Sequence, residues 1–154
     1  MAAGDVTLFE GFVLAVGKGV HDLSSDTIMC ALITSSATAP DETEADPRWG
    51  AGGSRDFSSD EVTPGGEYST GGISIGTTSW TISSNKPTFD ADTDPSWAQD
   101  ASNPTNARYA ILWNDDATND EAIGFIDLGQ TIDMSAAPLD ITFDANGIFD
   151  LAAV

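Results

Sequence analysis

Positive charge is what this chain has least of. Its 154 residues include five Lys plus Arg against 25 Asp plus Glu, a formal net charge of −20 at pH 7. Lys18, Arg48, Arg55, Lys86 and Arg108 are too few and too scattered to form a basic patch. The summed field repels phosphate backbones and anionic lipid, so neither nucleic acid nor a membrane is an expected partner. Cysteine is nearly absent too. Cys30 alone cannot close an internal disulfide, and its place in the apolar run Thr27–Ile33 predicts a buried thiol with no basic neighbour to activate it. No apolar run approaches the roughly 18 residues of a membrane span. The opening Met1-Ala-Ala-Gly-Asp5 lacks the basic start of a secretion leader, so a soluble chain is expected. Leu, Ile, Val and Phe make up only about a fifth of the residues, near the borderline of disorder. Four Trp, seven Phe and distinct apolar runs nevertheless predict one folded domain over 1–154 with long polar loops.

One helix is expected, over about 6–20. Phe9, Phe12, Val13, Val16 and Val20 recur at spacings of three and four, Asp5 or Thr7 is placed to cap the start, and Gly17 and Gly19 weaken or end the segment. Strands are expected elsewhere, in a core covering about 27–34 and 72–151. Residues 27–34 and 108–113 are apolar on both faces and read as covered strands. Ile73, Ile75, Trp80 and Ile82 alternate with Ser and Thr, as half-buried strands do, and 121–128 and 138–143 follow. Asn146-Gly147 marks a turn. The pattern predicts a mainly β fold, an antiparallel β-sandwich or barrel of jelly-roll-like kind, with one N-terminal helix and long acidic loops. Those loops cover about 35–71, with a single helical turn near 58–62, and about 90–106. Their length predicts ordering against a neighbouring subunit or a partner.

Reactive chemistry is hard to assemble from this inventory. Asp90, Asp92 and Asp94 alternate as in a calcium loop, but an EF-hand frame would need Gly and Glu where Pro95 and Ala101 stand. They remain weak calcium candidates. Asn114-Asp115-Asp116 and Asn119-Asp120-Glu121 read as a turn between strands. His21, the one imidazole, follows the helix and suits a cap or a contact better than catalysis. There is no Gly-x-Ser-x-Gly elbow and no phosphate-loop lysine. Trp80 and Trp113 fall in strands and read as packing residues. Trp49 and Trp97 fall in the long loops, where an aromatic ring can anchor a partner or stack on sugar. Arg48 and Arg55 flank Trp49, making Trp49, Arg48, Arg55 and Trp97 the candidate partner interface.

Taken in order, several segments form a set. A Phe-rich helix leads into Lys18-Gly-Val-His-Asp-Leu-Ser-Ser-Asp-Thr-Ile28, followed by Gly66-Glu-Tyr-Ser-Thr-Gly-Gly72, Arg108-Tyr-Ala-Ile-Leu-Trp-Asn-Asp115, Ile123-Gly-Phe-Ile-Asp-Leu-Gly129 and Leu139-Asp-Ile-Thr-Phe-Asp-Ala-Asn-Gly-Ile148. Over nearly the whole chain this resembles a family of small structural proteins encoded in tailed-bacteriophage genomes. The resemblance implies a virion component without catalytic residues, a capsid decoration or cement protein. Such a protein binds the outer surface of the major capsid protein shell and stabilises it, commonly as a homotrimer. The acidic stretches around 37–56 and 90–106 depart from the family pattern. Two other readings fit the composition: a tail or neck component of the virion, and a virion-surface carbohydrate-binding module using Trp49 or Trp97.

Overall fold

A computed structural model describes residues 2–151, the side chains of residues 2 and 3 excepted. In chain order the elements are β1 (Ala2–Ala3), β2 (Thr7–Leu8), α1 (Glu10–Gly17), β3 (Ile28–Thr34), β4 (Pro47–Arg48), β5 (Arg55–Asp56), a 3-10 turn (Ser58–Asp60), β6 (Ile73–Ser74), β7 (Thr78–Ser83), β8 (Lys86–Ala91), β9 (Ser96–Trp97), β10 (Ala107–Asn114), β11 (Ala122–Ile132), β12 (Leu139–Thr142) and β13 (Phe149–Asp150). The chain is mainly β with one helix, and its sheets form a sandwich-like fold. Two short pairs, β1 with β12 and β4 with β5, are parallel, so the architecture is not antiparallel throughout.

The largest sheet runs β2-β11-β10-β3-β6, with every neighbouring pair antiparallel. Two of its long strands, β3 and β10, are those that the two-faced apolar runs predict, while β11, the longest, runs past the 121–128 expected to Ile132. Ile28, Cys30, Ala31, Leu32, Ile33, Ala110, Ile111 and Leu112 are wholly buried, which requires cover on both faces of the sheet. Burial pushes the Cys30 thiol up to about 12, so it is an inert core group at neutral pH.

The helix is shorter than its spacing predicts. Thr7 and Leu8 do not join it, because they pair with Phe125 and Gly124 along the sheet edge. Neither Asp5 nor Thr7 caps the helix; Phe9 occupies the cap position in extended backbone. The first helical N–H groups are taken instead by the loop, Glu10 donating to the Glu42 carbonyl (2.8 Å) and Gly11 to that of Glu44 (3.0 Å). At the other end Gly19 turns left-handed (φ 70°). Its N–H and that of Val20 close on the Val16 and Ala15 carbonyls, a Schellman ending. Phe9 and Phe12 are buried, but Val13, about 100° round the axis from Phe12, faces solvent and leaves the expected stripe.

Two smaller sheets, β13-β8-β7 and β1-β12-β9, complete the layers. β7 and β8 form a two-residue hairpin in which Ser84 (φ 51°) and Asn85 (φ 64°) are both left-handed, the geometry of a type I′ turn. Asp90 and Ala91 belong to β8, so the segment expected to be a loop from 90 begins inside a strand. Ile82, expected to face inward, is 71% exposed. The Asn146-Gly147 turn forms, with Gly147 donating to the Asp144 carbonyl (3.0 Å), yet the strands beside it enter different sheets.

Residues 35–71 fold back onto their own domain. Only the first half of β3 is paired by β6, and this loop closes the rest of that edge. Val62 N–H donates to the Leu32 carbonyl (3.0 Å), and Leu32 N–H donates to the Tyr68 hydroxyl (2.9 Å). That hydroxyl donates in turn to Glu61 (2.9 Å), which also accepts from Gly71 N–H (2.7 Å). Burial holds the phenol far above its ordinary range and therefore protonated. Gly72 lies so close to the Cys30 carbonyl, at φ 82°, that no side chain fits. The second loop is pinned by Asn103, whose amide donates to the Ala98 carbonyl (2.8 Å) and accepts from Glu67 N–H (2.7 Å). Tyr68→Phe strips Leu32 N–H of its acceptor and Glu61 of a donor, so it is expected to cost about 1–3 kcal/mol. Chemical denaturation measures this, and an unchanged midpoint would contradict the edge-closing role.

Candidate functional site

The loop tryptophans are core residues. Trp49 stacks on Trp113 with ring centroids 5.8 Å apart and planes 14° from parallel, and Trp97 packs against Tyr68 at 5.9 Å. Trp49 is 6% exposed and Trp97 2%, so neither offers a ring face to a sugar or a partner anchor. Trp49 is held by its N–H to the Asp120 carbonyl (2.8 Å), while the Trp113 indole donates to that of Gly71 (3.2 Å). Isolated aromatics in a polar loop read as exposed anchors, but here each has a partner distant in sequence.

The arginines are also engaged within the chain. Arg48 forks onto Asp46 (3.0 and 2.8 Å). Arg55 donates to Asp60 (2.6 Å) and to the Thr38 carbonyl (3.0 Å), with its guanidinium over the Phe57 ring. Arg108 pairs with Asp127, and Lys86 with Asp150 at 3.3 Å. Lys18 alone has no ion pair among the described residues. The four predicted interface residues therefore divide between core and intramolecular ion pairs, and they do not form one exposed patch.

Asp90, Asp92 and Asp94 do not converge. Asp90 accepts from Ala91 N–H, Asp92 from Thr77 N–H (2.9 Å) and the Thr93 hydroxyl, and Asp94 from Phe143 N–H (3.1 Å). Among the described residues no three His, Cys, Asp or Glu side chains are grouped to hold a metal ion. Much of the chain's acid has another use. Asp22, Asp41, Asp56, Asp100, Asp127, Asp133 and Asp144 each accept the backbone N–H two residues on, making Asx turns. Hydrogen bonds to these carboxylates hold Asp22, Asp41 and Asp144 below the ordinary range.

The anionic surface exposes few large apolar side chains, and two of them are adjacent. Val13 (49%) and Leu14 (57%) stand on the outer side of α1. Leu14 borders a groove of about 290 Å3, whose walls include Phe12, Ala15, Lys18, Pro47 and Glu121. No helix is long and apolar enough to cross a membrane. The chain matches no family model, no curated protein and no solved structure.

Beneath α1 lies a polar cluster that the sequence pattern does not show, because Asn114 is 93 residues from His21 and 88 from Asp26. The Asn114 carbonyl oxygen accepts from Asp116 N–H (3.0 Å) and Ala117 N–H (3.2 Å), the turn expected at Asn114-Asp115-Asp116. The Asn114 amide nitrogen must then face His21 Nδ1 (3.0 Å) and Asp26 (2.7 Å). That orientation makes Nδ1 the acceptor and puts the imidazole proton on Nε2, which is buried without a partner among the described residues. The Phe12 ring packs against this imidazole at 5.0 Å. Burial lowers the His21 pKa from 6.5, opposed by the charges of Glu121 and Asp26. The unfolded chain therefore binds this proton more readily than the folded one. Stability contributed here is complete above pH 6.5 and is lost as pH falls from there toward the depressed folded value. His21→Gln, which keeps an acceptor for Asn114, is expected to flatten that decline. Urea midpoints from about pH 7 down to 4.5 test this, and an equal decline in both proteins would contradict it.

Proposed function

We propose that this protein is a non-enzymatic bacteriophage capsid decoration protein that seats on the outer surface of the major capsid protein shell and stabilises it. The observation that carries the reading is the exposed Val13–Leu14 pair beside the α1 groove, set in a surface whose cations are nearly all paired internally. A small apolar contact within an anionic surface suits a partner patch that is apolar and basic. The strong negative charge keeps such a protein soluble and off free or packaged DNA. The ordered motif set from Lys18–Ile28 to Leu139–Ile148 supports the same reading, and its resemblance implies a homotrimer on the virion exterior. The carbohydrate-binding alternative loses its basis with Trp49 and Trp97 buried, and nothing particular favours a tail or neck position.

Purified protein added to shells lacking it is expected to bind in fixed proportion to the capsid protein and to raise the shells' resistance to heat. Val13→Ala with Leu14→Ala trims side chains that are about half exposed and keeps helix propensity, so it is expected to lower the melting temperature by only a few degrees while weakening shell binding roughly tenfold or more. Co-sedimentation with copy counting reads this. Wild-type protein that binds no shell, or label confined to the neck or tail, would overturn the reading.

A further inference from the structure

Among the described residues, every outermost strand but one in the three larger sheets is two residues long: β1, β9, β2, β6 and β13. Very short edge strands give another chain little to pair with. β7 is the exception, with six residues at the open edge of β13-β8-β7. The usual protections are missing from it. Thr77–Ser84 holds no charged residue and no proline, in a chain that is 19% charged.

Hairpin geometry settles which backbone groups are open. The two-residue turn makes Ser83 and Lys86 a hydrogen-bonded pair, so Ser83, Thr81 and Ser79 bond toward β8. Asp92 N–H donating to the Thr77 carbonyl (3.1 Å) continues the same alternation, and Pro87 and Phe89 turn their carbonyls the other way, toward Leu151 and Ile148. The N–H and C=O of Thr78, Trp80 and Ile82 therefore point outward. Thr78 is covered, its hydroxyl donating to the Asp26 carbonyl, which leaves Trp80 and Ile82 as the open positions. Trp80 packs on Phe149, and Ile82, on the same face by alternation, projects beyond the core.

The sequence of this edge is self-complementary. Centred on Thr81, it reads apolar at Trp80 and Ile82, serine at 79 and 83, and hydroxyl-bearing at 78 and 84. A two-fold axis through an antiparallel pair imposes that symmetry, since residue i meets j while j meets i. We infer that β7 pairs antiparallel with β7 of a second copy of this chain, Thr81 opposite Thr81 and Trp80 opposite Ile82. The four open backbone groups on each copy are then satisfied. The cross-strand contacts are aromatic on β-branched and Thr on Thr, among the most favourable in sheets. Repulsion between two strongly anionic chains is avoided locally because the joining strands are neutral, and beyond about 8 Å it is screened at physiological salt. The pairing concerns the free protein and does not depend on the shell-binding reading.

Ile82→Pro tests it selectively. The Ile82 N–H points away from β8, so proline removes an intermolecular donor and leaves the hairpin's own bonds intact. Sedimentation of the full chain over a concentration series is expected to give wild type at least twice the mass of Ile82→Pro and of Ile82→Lys, with circular dichroism unchanged. Hydrogen exchange on wild type gives an independent readout. The amides of Trp80 and Ile82 are expected to become protected as concentration rises, whereas Ser79 and Thr81 are protected throughout. Equal masses for wild type and variants, or Trp80 and Ile82 amides that exchange freely at every concentration, would overturn the inference.

Discussion

The ladder of β3, β10 and the first half of β11 is covered on both faces, and the rest of the molecule is fitted to that requirement. A two-sided apolar sheet needs two covers, but this chain has little aliphatic residue to build them from. It uses aromatics from segments that are otherwise polar. Phe9 and Phe12 come from the helix and its entry, Trp49 and Phe57 from the long loop. Phe9 stacks on Phe57, and Trp49 on Trp113. Each large ring removes far more area from water than an aliphatic side chain does. Backbone exposed by the short strand β6 is closed by Val62 and the Tyr68 hydroxyl, so the loop satisfies polar groups as well as covering apolar ones.

Acidity, the most conspicuous property of the composition, is largely structural in origin. Seven aspartates make Asx turns, one of which, Asp127, also pairs with Arg108, and Asp46 and Asp60 take Arg48 and Arg55. Long connections are thereby tied down by contacts within the chain. The result is an anionic exterior with its cations mostly neutralised, on which α1 and the edge of β7 are the apolar exceptions.

The core strands are legible in the sequence because a short run that is apolar on both faces, bounded by turn residues, is stable in water only as a covered strand. The helix is legible in kind but not in extent. Val6–Leu8 continues a helical spacing equally well, and only pairing with Gly124 and Phe125 decides that Thr7 and Leu8 are strand. The loops are not legible. Trp49, Phe57, Val62 and Tyr68 stand singly among polar residues, with no period to mark them as core, and their partners are far away in the chain. For the same reason the predicted interface dissolves into internal contacts, and the His21–Asn114–Asp26 cluster has no local signature. The Ser84-Asn85 turn escapes a sequence reading because it lacks the glycine that usually marks a type I′ hairpin. Val13 and Ile82 are exposed at positions whose spacing places them inside.

The claim on which this description most depends is that residues 35–71 belong to the folded core of the isolated chain and do not wait for a partner to order them. Amide hydrogen exchange on the purified protein in dilute solution tests it directly. The N–H groups of Trp49, Val62 and Leu32 are expected to exchange about as slowly as those of Ile111 and Leu112 in the ladder. Rapid exchange at Trp49 and Val62, with the ladder still protected, would show a loop that orders only on binding and would contradict the account.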